Sequence, residues 1–244
     1  VPEPKPIVLI LGQTAGGKTE LAAELARRLP GGGECISADS MQVYRGMDLG
    51  TAKPTAAQRA AVPHHLLDLL DPAEDGFSVD AWLDLARRTI EAVRGRGRWP
   101  IVVGGTNLYV QALLEGLYDG PSPDPALRDQ LEAADAAGLR RRLERIDPAA
   151  AGRIHPNDRK RTIRALEVYE LTGRRISDMQ QQWFRGTPRR DVRIIGLDHS
   201  VQAINARIND RVRAMIRQGL LDEVRGLVAT SAAGGAPALG RQAA

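Results

Sequence analysis

The stretch Ile7-Val8-Leu9-Ile10-Leu11-Gly12-Gln13-Thr14-Ala15-Gly16-Gly17-Lys18-Thr19 decides the fold. Its first five residues are an unbroken apolar run of β-branched and leucine side chains. Such a run predicts a strand buried on both faces of a parallel sheet. The next eight fit the pattern GxxxxGK[ST] at every fixed position. That spacing has a physical reason. Backbone N–H groups must converge on phosphate oxygens, and a side chain at Gly12 or Gly17 would obstruct them. Lys18 adds a point charge, Thr19 offers a hydroxyl to Mg²⁺, and a following helix adds its positive end. That helix is predicted from Lys18 to Leu29, with Leu21, Leu25 and Leu29 on one face. Pro30-Gly31-Gly32-Gly33 stops it.

Outward from this stretch, strands and helices alternate. Cys35-Ile36-Ser37-Ala38 reads as a second strand leading into Asp39. Residues 46–76 read as loop with a short helix. Ser78 caps a helix to about Val93 that sets Trp82, Ala86 and Ile90 on one face. Gly95 to Pro100 reads as a turn and Ile101-Val102-Val103 as a third strand, ending at Gly104-Gly105. A helix over Leu108–Leu117 follows. Alternation of this kind predicts an α/β fold with a parallel sheet and flanking helices.

The pattern then changes. Pro121-Ser122-Pro123-Asp124-Pro125 is a linker signal, and residues 126–190 show helices without a convincing strand. Val192–Leu197 reads as strand again. Ile204, Ile208, Val212 and Met215 then recur at helical spacing, and Ser231–Pro237 reads as loop. The expectation is a discontinuous core, 1–125 with 191–244, carrying an inserted all-helical domain over 126–190.

Composition bounds the function. The chain has 244 residues, 43% of them hydrophobic and 26% charged, which is ordinary for a globular chain with its own core. The single cysteine, Cys35, excludes an internal disulfide and any Cys-rich metal site, and fits a reducing cytosol. No apolar run approaches the ~18 residues of a membrane span, and nothing resembles a signal peptide. The expectation is a cytoplasmic protein without a membrane partner, with a monomer favoured.

Charge is uneven. Residues 1–120 hold 12 basic against 15 acidic side chains, whereas residues 121–217 hold 20 against 13. A polyanion meeting the second half accounts for the asymmetry; so does a general preference for arginine, which supplies 30 of the 34 basic residues. Asp39, following a strand, falls where parallel sheets open their ligand crevice. Read alone, it is either a general base or a turn residue. His64, His65, His155 and His199 show no metal-ligand spacing and read as structural or loop residues.

The stretch Ser37-Ala38-Asp39-Ser40-Met41-Gln42-Val43-Tyr44-Arg45-Gly46-Met47-Asp48-Leu49-Gly50-Thr51-Ala52-Lys53-Pro54 resembles a signature of the tRNA dimethylallyltransferases. The phosphate loop resembles another, departing from it at Gln13 and Gly16. Val62-Pro63-His64-His65-Leu66, Phe77-Ser78-Val79, Gly104-Gly105-Thr106-Asn107-Leu108-Tyr109, Ile154-His155-Pro156-Asn157-Asp158 and Arg161–Glu167 match further segments in the same order. The resemblance covers about residues 7–230. Leu239–Ala244 resembles the start of a further segment, and the family normally continues beyond it.

The resemblance implies a P-loop NTPase-like fold and transfer of a dimethylallyl group from dimethylallyl diphosphate. The acceptor would be the N6 amine of the adenosine 3′ to the tRNA anticodon. It implies diphosphate contacts from Gly12, Gln13, Thr14, Ala15, Gly16, Gly17, Lys18 and Thr19, with Mg²⁺ as cofactor held through Thr19. Asp39 matches the family's general base, beside Lys18 and Thr19 in catalysis. Asp39, Ser40, Met41, Gln42, Thr106, Arg128, Lys160, Arg161, Thr162, Ile163 and Arg164 match positions that meet tRNA. Gln42 has the amide geometry to read a base edge, and a flipped-out base is implied. Arg161 and Arg164, three apart, share a helix face and suit phosphates. Trp183 and Phe184 lie near Arg185, Arg189 and Arg190, a mixture that suits nucleic acid or, for Trp183, a core.

Rival readings are a P-loop small-molecule kinase, which would share Lys18, Thr19 and Asp39, a transferase acting on free adenine nucleotides, and an RNA-binding module without transfer chemistry. The basic helical insert and the matched segments favour tRNA.

Overall fold

The computed structural model describes residues 4–74, 77–117, 120–180 and 189–233. The chain divides into two compact units, residues 1–114 with 189–244, and residues 115–188.

The first unit is a parallel sheet with flanking helices. The phosphate-loop strand β1 spans Ile7–Gly12 and runs into α1, Lys18–Arg28. Strand β2, Gly33–Ala38, is buried along its whole length and carries Asp39 at its end. A short helix α2, Ala56–Ala61, starts from a capping box between Thr55 and Gln58. A two-residue strand β3, His64–His65, pairs with Cys35 and Ile36 of β2. Helix α3, Val79–Gly95, opens on Ser78, whose side chain accepts from Ala81 N–H. Its buried face holds Trp82, Leu83, Ala86, Ile90 and Val93, which extends the expected face.

Strand β4 spans Trp99–Gly104 and α4 spans Asn107–Glu115. The expected turn therefore ends two residues earlier than its composition suggests. Pro100 lies opposite Glu34 near the start of the strand, where a missing N–H is tolerated. Helices α5 to α9 belong to the second unit. Strand β5, Val192–Leu197, is followed by α10, Val201–Arg217, and α11, Leu220–Ala233. Residues 231–233 are thus helical rather than loop. The strand order is β3-β2-β4-β1-β5, all parallel. The C-terminal ends of β1, β2 and β4 therefore share one edge of the sheet, with β4 between the other two. Ile7, Leu9, Ile10, Ile36, Ile90 and Ile101 are fully buried beneath them.

The second unit is helical among the described residues: α5 Pro125–Ala133, α6 Ala136–Ile146, α7 Pro148–Arg153, α8 Arg159–Thr172 and α9 Ile176–Gln180. Asp124, Asp135, Asp147 and Asp158 each cap a helix by accepting a backbone N–H in its first turn. Gly173 ends α8 in the left-handed region at φ 67°. Leu131, Leu139, Leu143, Leu166, Val168, Ile176 and Met179 form its core. Trp183, Phe184 and Arg185 lie outside the described residues, as do Leu239–Ala244.

Candidate active site

The phosphate loop turns sharply between β1 and α1. Ala15 is left-handed at φ 60°, Gly16 N–H donates to Gln13 O at 3.1 Å, and Gly17 caps α1 at φ 88°. A side chain at Gly17 would be strained at that φ and would meet Arg207 Nη2 at 3.3 Å. Lys18 folds over the loop and donates to the carbonyls of Gly12 and Gln13, at 2.8 Å each. Thr19 stands half-buried in the first turn of α1.

Three further groups close on the loop from the β5–α10 side. His199 Nε2 lies 3.0 Å from Gly16 O, and Arg207 Nε donates to Ala15 O at 2.7 Å. Arg211, one turn beyond Arg207, is close enough to lower the pKa of Lys18. Its Nε is shut off from solvent and has no hydrogen-bond partner among the described residues. Sequence reasoning missed Arg207 and Arg211, and read His199 only as a structural or loop residue. Their shared signal was faint: Arg207 and Arg211 are four apart on a helix that follows a strand.

Asp39 joins this group from the end of β2, one strand beyond β4. Burial depresses the Lys18 pKa, Asp39 raises it by favouring the ammonium, and Arg211 lowers it again. Asp39 also helps raise Tyr109, which burial chiefly pushes up to about 12, with a contribution from Tyr44. Asp39 therefore stands within electrostatic reach of both Lys18 and Tyr109. Beneath it, Tyr109 stacks on Trp82 with ring centroids 4.4 Å apart, and Trp82 Nε1 donates to Ser37 O at 3.0 Å.

The Asp39 turn is tied to the end of β4. Thr106 N–H donates to Ala38 O at 3.2 Å, and Ser40 N–H donates to Thr106 Oγ1 at 3.0 Å. Gly104 permits this approach: a Cβ there would lie 2.2 Å from Ala38 O. Met41 N–H donates to Asp39 Oδ1 at 2.9 Å. Gln42 lies in the same turn. Its amide is committed within the protein, accepting from Ser37 Oγ at 2.9 Å and donating to Thr51 O and Ala52 O at 3.2 and 3.3 Å. Here it braces the turn.

The remaining candidates lie in the helical unit. Lys160 and Arg161 are exposed, whereas Thr162 and Ile163 are buried in its core. Helical periodicity requires this, since a stretch of five consecutive residues cannot all face one way. Arg128 and Arg164 are both held by Glu167, whose side chain is fully buried. Arg128 donates to both carboxylate oxygens at 2.9 and 3.0 Å, and Arg164 donates to one at 2.6 Å.

A phosphate cradle at the end of β1, with a carboxylate at the end of β2 across the intervening β4, defines a P-loop class of site for a phosphate ester. The family model described as "IPP transferase" matches residues 42–243. A tRNA dimethylallyltransferase from Anaeromyxobacter dehalogenans is 51% identical over 91% of this chain and 75% of the relative. One from Methylococcus capsulatus is 49% identical over 91% of this chain and 72% of the relative. The solved tRNA isopentenylpyrophosphate transferase of Bacillus halodurans superposes with a TM-score of 0.62 at 43% identity, over 93% of this chain and 71% of that one. A eukaryotic dimethylallyltransferase acting on tRNA superposes with a TM-score of 0.79 at 31% identity, over 96% of this chain and 58% of that one. The chain belongs to the tRNA dimethylallyltransferase family, whose members are prenyl transferases. It spans about three quarters of the length of the Anaeromyxobacter relative.

Proposed function

We propose that the chain transfers a dimethylallyl group from dimethylallyl diphosphate to the N6 amine of the adenosine 3′ to a tRNA anticodon. The observation that carries this reading is Asp39 at the end of β2, within electrostatic reach of Lys18 on the phosphate loop. A carboxylate there suits an acceptor that must lose a proton as the diphosphate leaves.

The loop amides of residues 12–19 and Lys18 cradle the diphosphate. On release from the Gly12 and Gln13 carbonyls, the Lys18 ammonium turns to the leaving oxygens. Arg211 adds positive charge close to Lys18, and Arg207 holds the loop backbone in shape. No group of three or more His, Cys, Asp or Glu among the described residues can hold a metal alone. The donor set instead suits a hard ion carried mainly by diphosphate oxygens, with the Thr19 hydroxyl added. Mg²⁺ so bound would neutralise charge on the departing diphosphate.

Asp39 orients the adenosine N6 amine and takes its proton. The nitrogen bonds to the dimethylallyl carbon as that carbon's bond to the diphosphate oxygen breaks. Ser40 and Met41 stand beside the incoming base, and Thr106 fixes their turn. Lys160 and Arg161 offer exposed charge for tRNA phosphates, which gives affinity rather than sequence choice. This chemistry belongs in the cytoplasm. Among the described residues no helix is long and apolar enough to cross a membrane.

The test is incubation with Mg²⁺, labelled dimethylallyl diphosphate and unmodified tRNA, followed by digestion to nucleosides. Label on the N6 of one adenosine, beside the anticodon, supports the reading. Label on free adenine nucleotides but not tRNA, or turnover of ATP with a small metabolite instead, overturns it.

A further inference from the structure

We infer that Glu223, on α11, is a positioning residue for the Asp39 turn, acting through the loop of residues 47–52 and the amide of Gln42. The carboxylate accepts three consecutive backbone N–H groups of that loop. Oε2 takes Asp48 N–H at 3.0 Å and Leu49 N–H at 2.7 Å, and Oε1 takes Gly50 N–H at 3.0 Å. Charged acceptors make the stronger hydrogen bonds, and here one side chain gathers three donors across 173 to 175 positions of sequence. The loop needs such a fastening: Ala52 is held left-handed at φ 51°, a costly conformation for a residue with a side chain.

The next link is Gln42. Its Nε2 donates to Thr51 O and Ala52 O, the carbonyls that the fastened loop aims inward, while its Oε1 accepts from Ser37 Oγ on β2. Gln42 thereby closes the turn that begins at Asp39. The ordered path runs from Glu223 to the loop, from the loop carbonyls to Gln42, and from Gln42 to the strand end that carries the base. Released from Glu223, residues 48–50 exchange one shared, fixed acceptor for water, the carbonyls of 51 and 52 lose their fixed aim, and the turn at 39–42 loosens. Pairing along a contiguous set of hydrogen bonds is the physical basis for such coupling. The functional consequence rests on Asp39 serving as base; the structural coupling does not.

Amide hydrogen exchange of the whole chain tests the coupling without any need for turnover. Glu223→Ala is expected to speed exchange at Asp48, Leu49 and Gly50, and also at Ser40 and Met41, whose N–H groups bond to Thr106 Oγ1 and Asp39 Oδ1. Glu223→Gln keeps one carbonyl oxygen but turns an N–H₂ toward Gly50, so it should be intermediate. Asp222→Ala, the neighbouring change that leaves these bonds intact, should alter neither region. In a Gln42→Ala background, Glu223→Ala should add nothing at Ser40 and Met41. Acceleration confined to 48–50, or undiminished coupling without Gln42, overturns the inference. In the transfer assay, Glu223→Ala and Gln42→Ala should each lower kcat/KM for tRNA about tenfold, and together about as much as either alone. Diphosphate binding should stay as in the wild type. A multiplied, about hundredfold loss in the double variant contradicts the shared path. Failure of the wild-type chain to label tRNA sinks the transferase reading, while the exchange result still decides the role of Glu223.

Discussion

Ser40 N–H donates to the hydroxyl of Thr106 at 3.0 Å, joining turns 66 residues apart in sequence at the ends of β2 and β4. The bond stands next to Asp39 and is the shortest tie between that turn and the central strand. Thr106→Ala removes the acceptor and leaves a half-buried donor unpaired, which should lower kcat/KM for tRNA about tenfold. Thr106→Ser keeps the hydroxyl and should stay near wild type. Steady-state transfer to an anticodon stem-loop measures both; equal losses in the two variants would mean that the methyl group matters rather than the hydrogen bond.

Arg211 lies close to Lys18, and among the described residues its Nε–H is shut off from water and has no partner. Its guanidinium charge acts on an anion held at the phosphate loop. Arg211→Ala should weaken inorganic diphosphate binding by about ten- to a hundredfold, read by titration calorimetry in the presence of Mg²⁺. Arg207→Ala removes a bond to Ala15 O rather than a ligand, and should have the smaller effect. The opposite order would assign the ligand role to Arg207.

Glu167 binds Arg128, Arg164 and Asp124 N–H inside the helical unit. Burial alone would raise its pKa, but the bonds from Arg128, Arg164 and Asp124 together hold it below the ordinary carboxylate value. With a depressed folded pKa, the network stabilises fully above the ordinary value, and that contribution is lost as pH falls through the folded one. Glu167→Ala should cost about 2–3 kcal/mol, because two partly exposed guanidinium groups and the Asp124 N–H lose their acceptor. Thermal unfolding measured from pH 7 downward should show a shallower acid dependence in Glu167→Gln than in the wild type. Parallel pH profiles would remove Glu167 from the acid response.

Much of this site was legible in the sequence, and its gaps have physical causes. The phosphate loop and Asp39 stand at strand ends because an apolar run, a glycine turn and an amphipathic helix are local patterns, complete within a few residues. Strand β3 is not such a pattern: two histidines form it only because Cys35 and Ile36 offer an edge. Arg207 and Arg211 were hidden for a related reason. The spacing of Ile204, Ile208, Val212 and Met215 predicts α10, and Ile204 and Met215 are its buried residues. Which polar face meets the phosphate loop depends on β5 pairing in parallel with β1, a relation that no local window contains. Gln42 stands out in the sequence beside Asp39, but its partners at 51 and 52 come from a loop without periodicity.

The most direct test is a single-turnover transfer rate for Asp39→Asn, measured with dimethylallyl diphosphate already bound and tRNA in excess. The substitution keeps shape and removes the proton acceptor. The rate should fall at least about a hundredfold, while diphosphate affinity remains that of the wild type. A rate equal to the wild type, with the diphosphate bound just as well, would show that Asp39 is not the base.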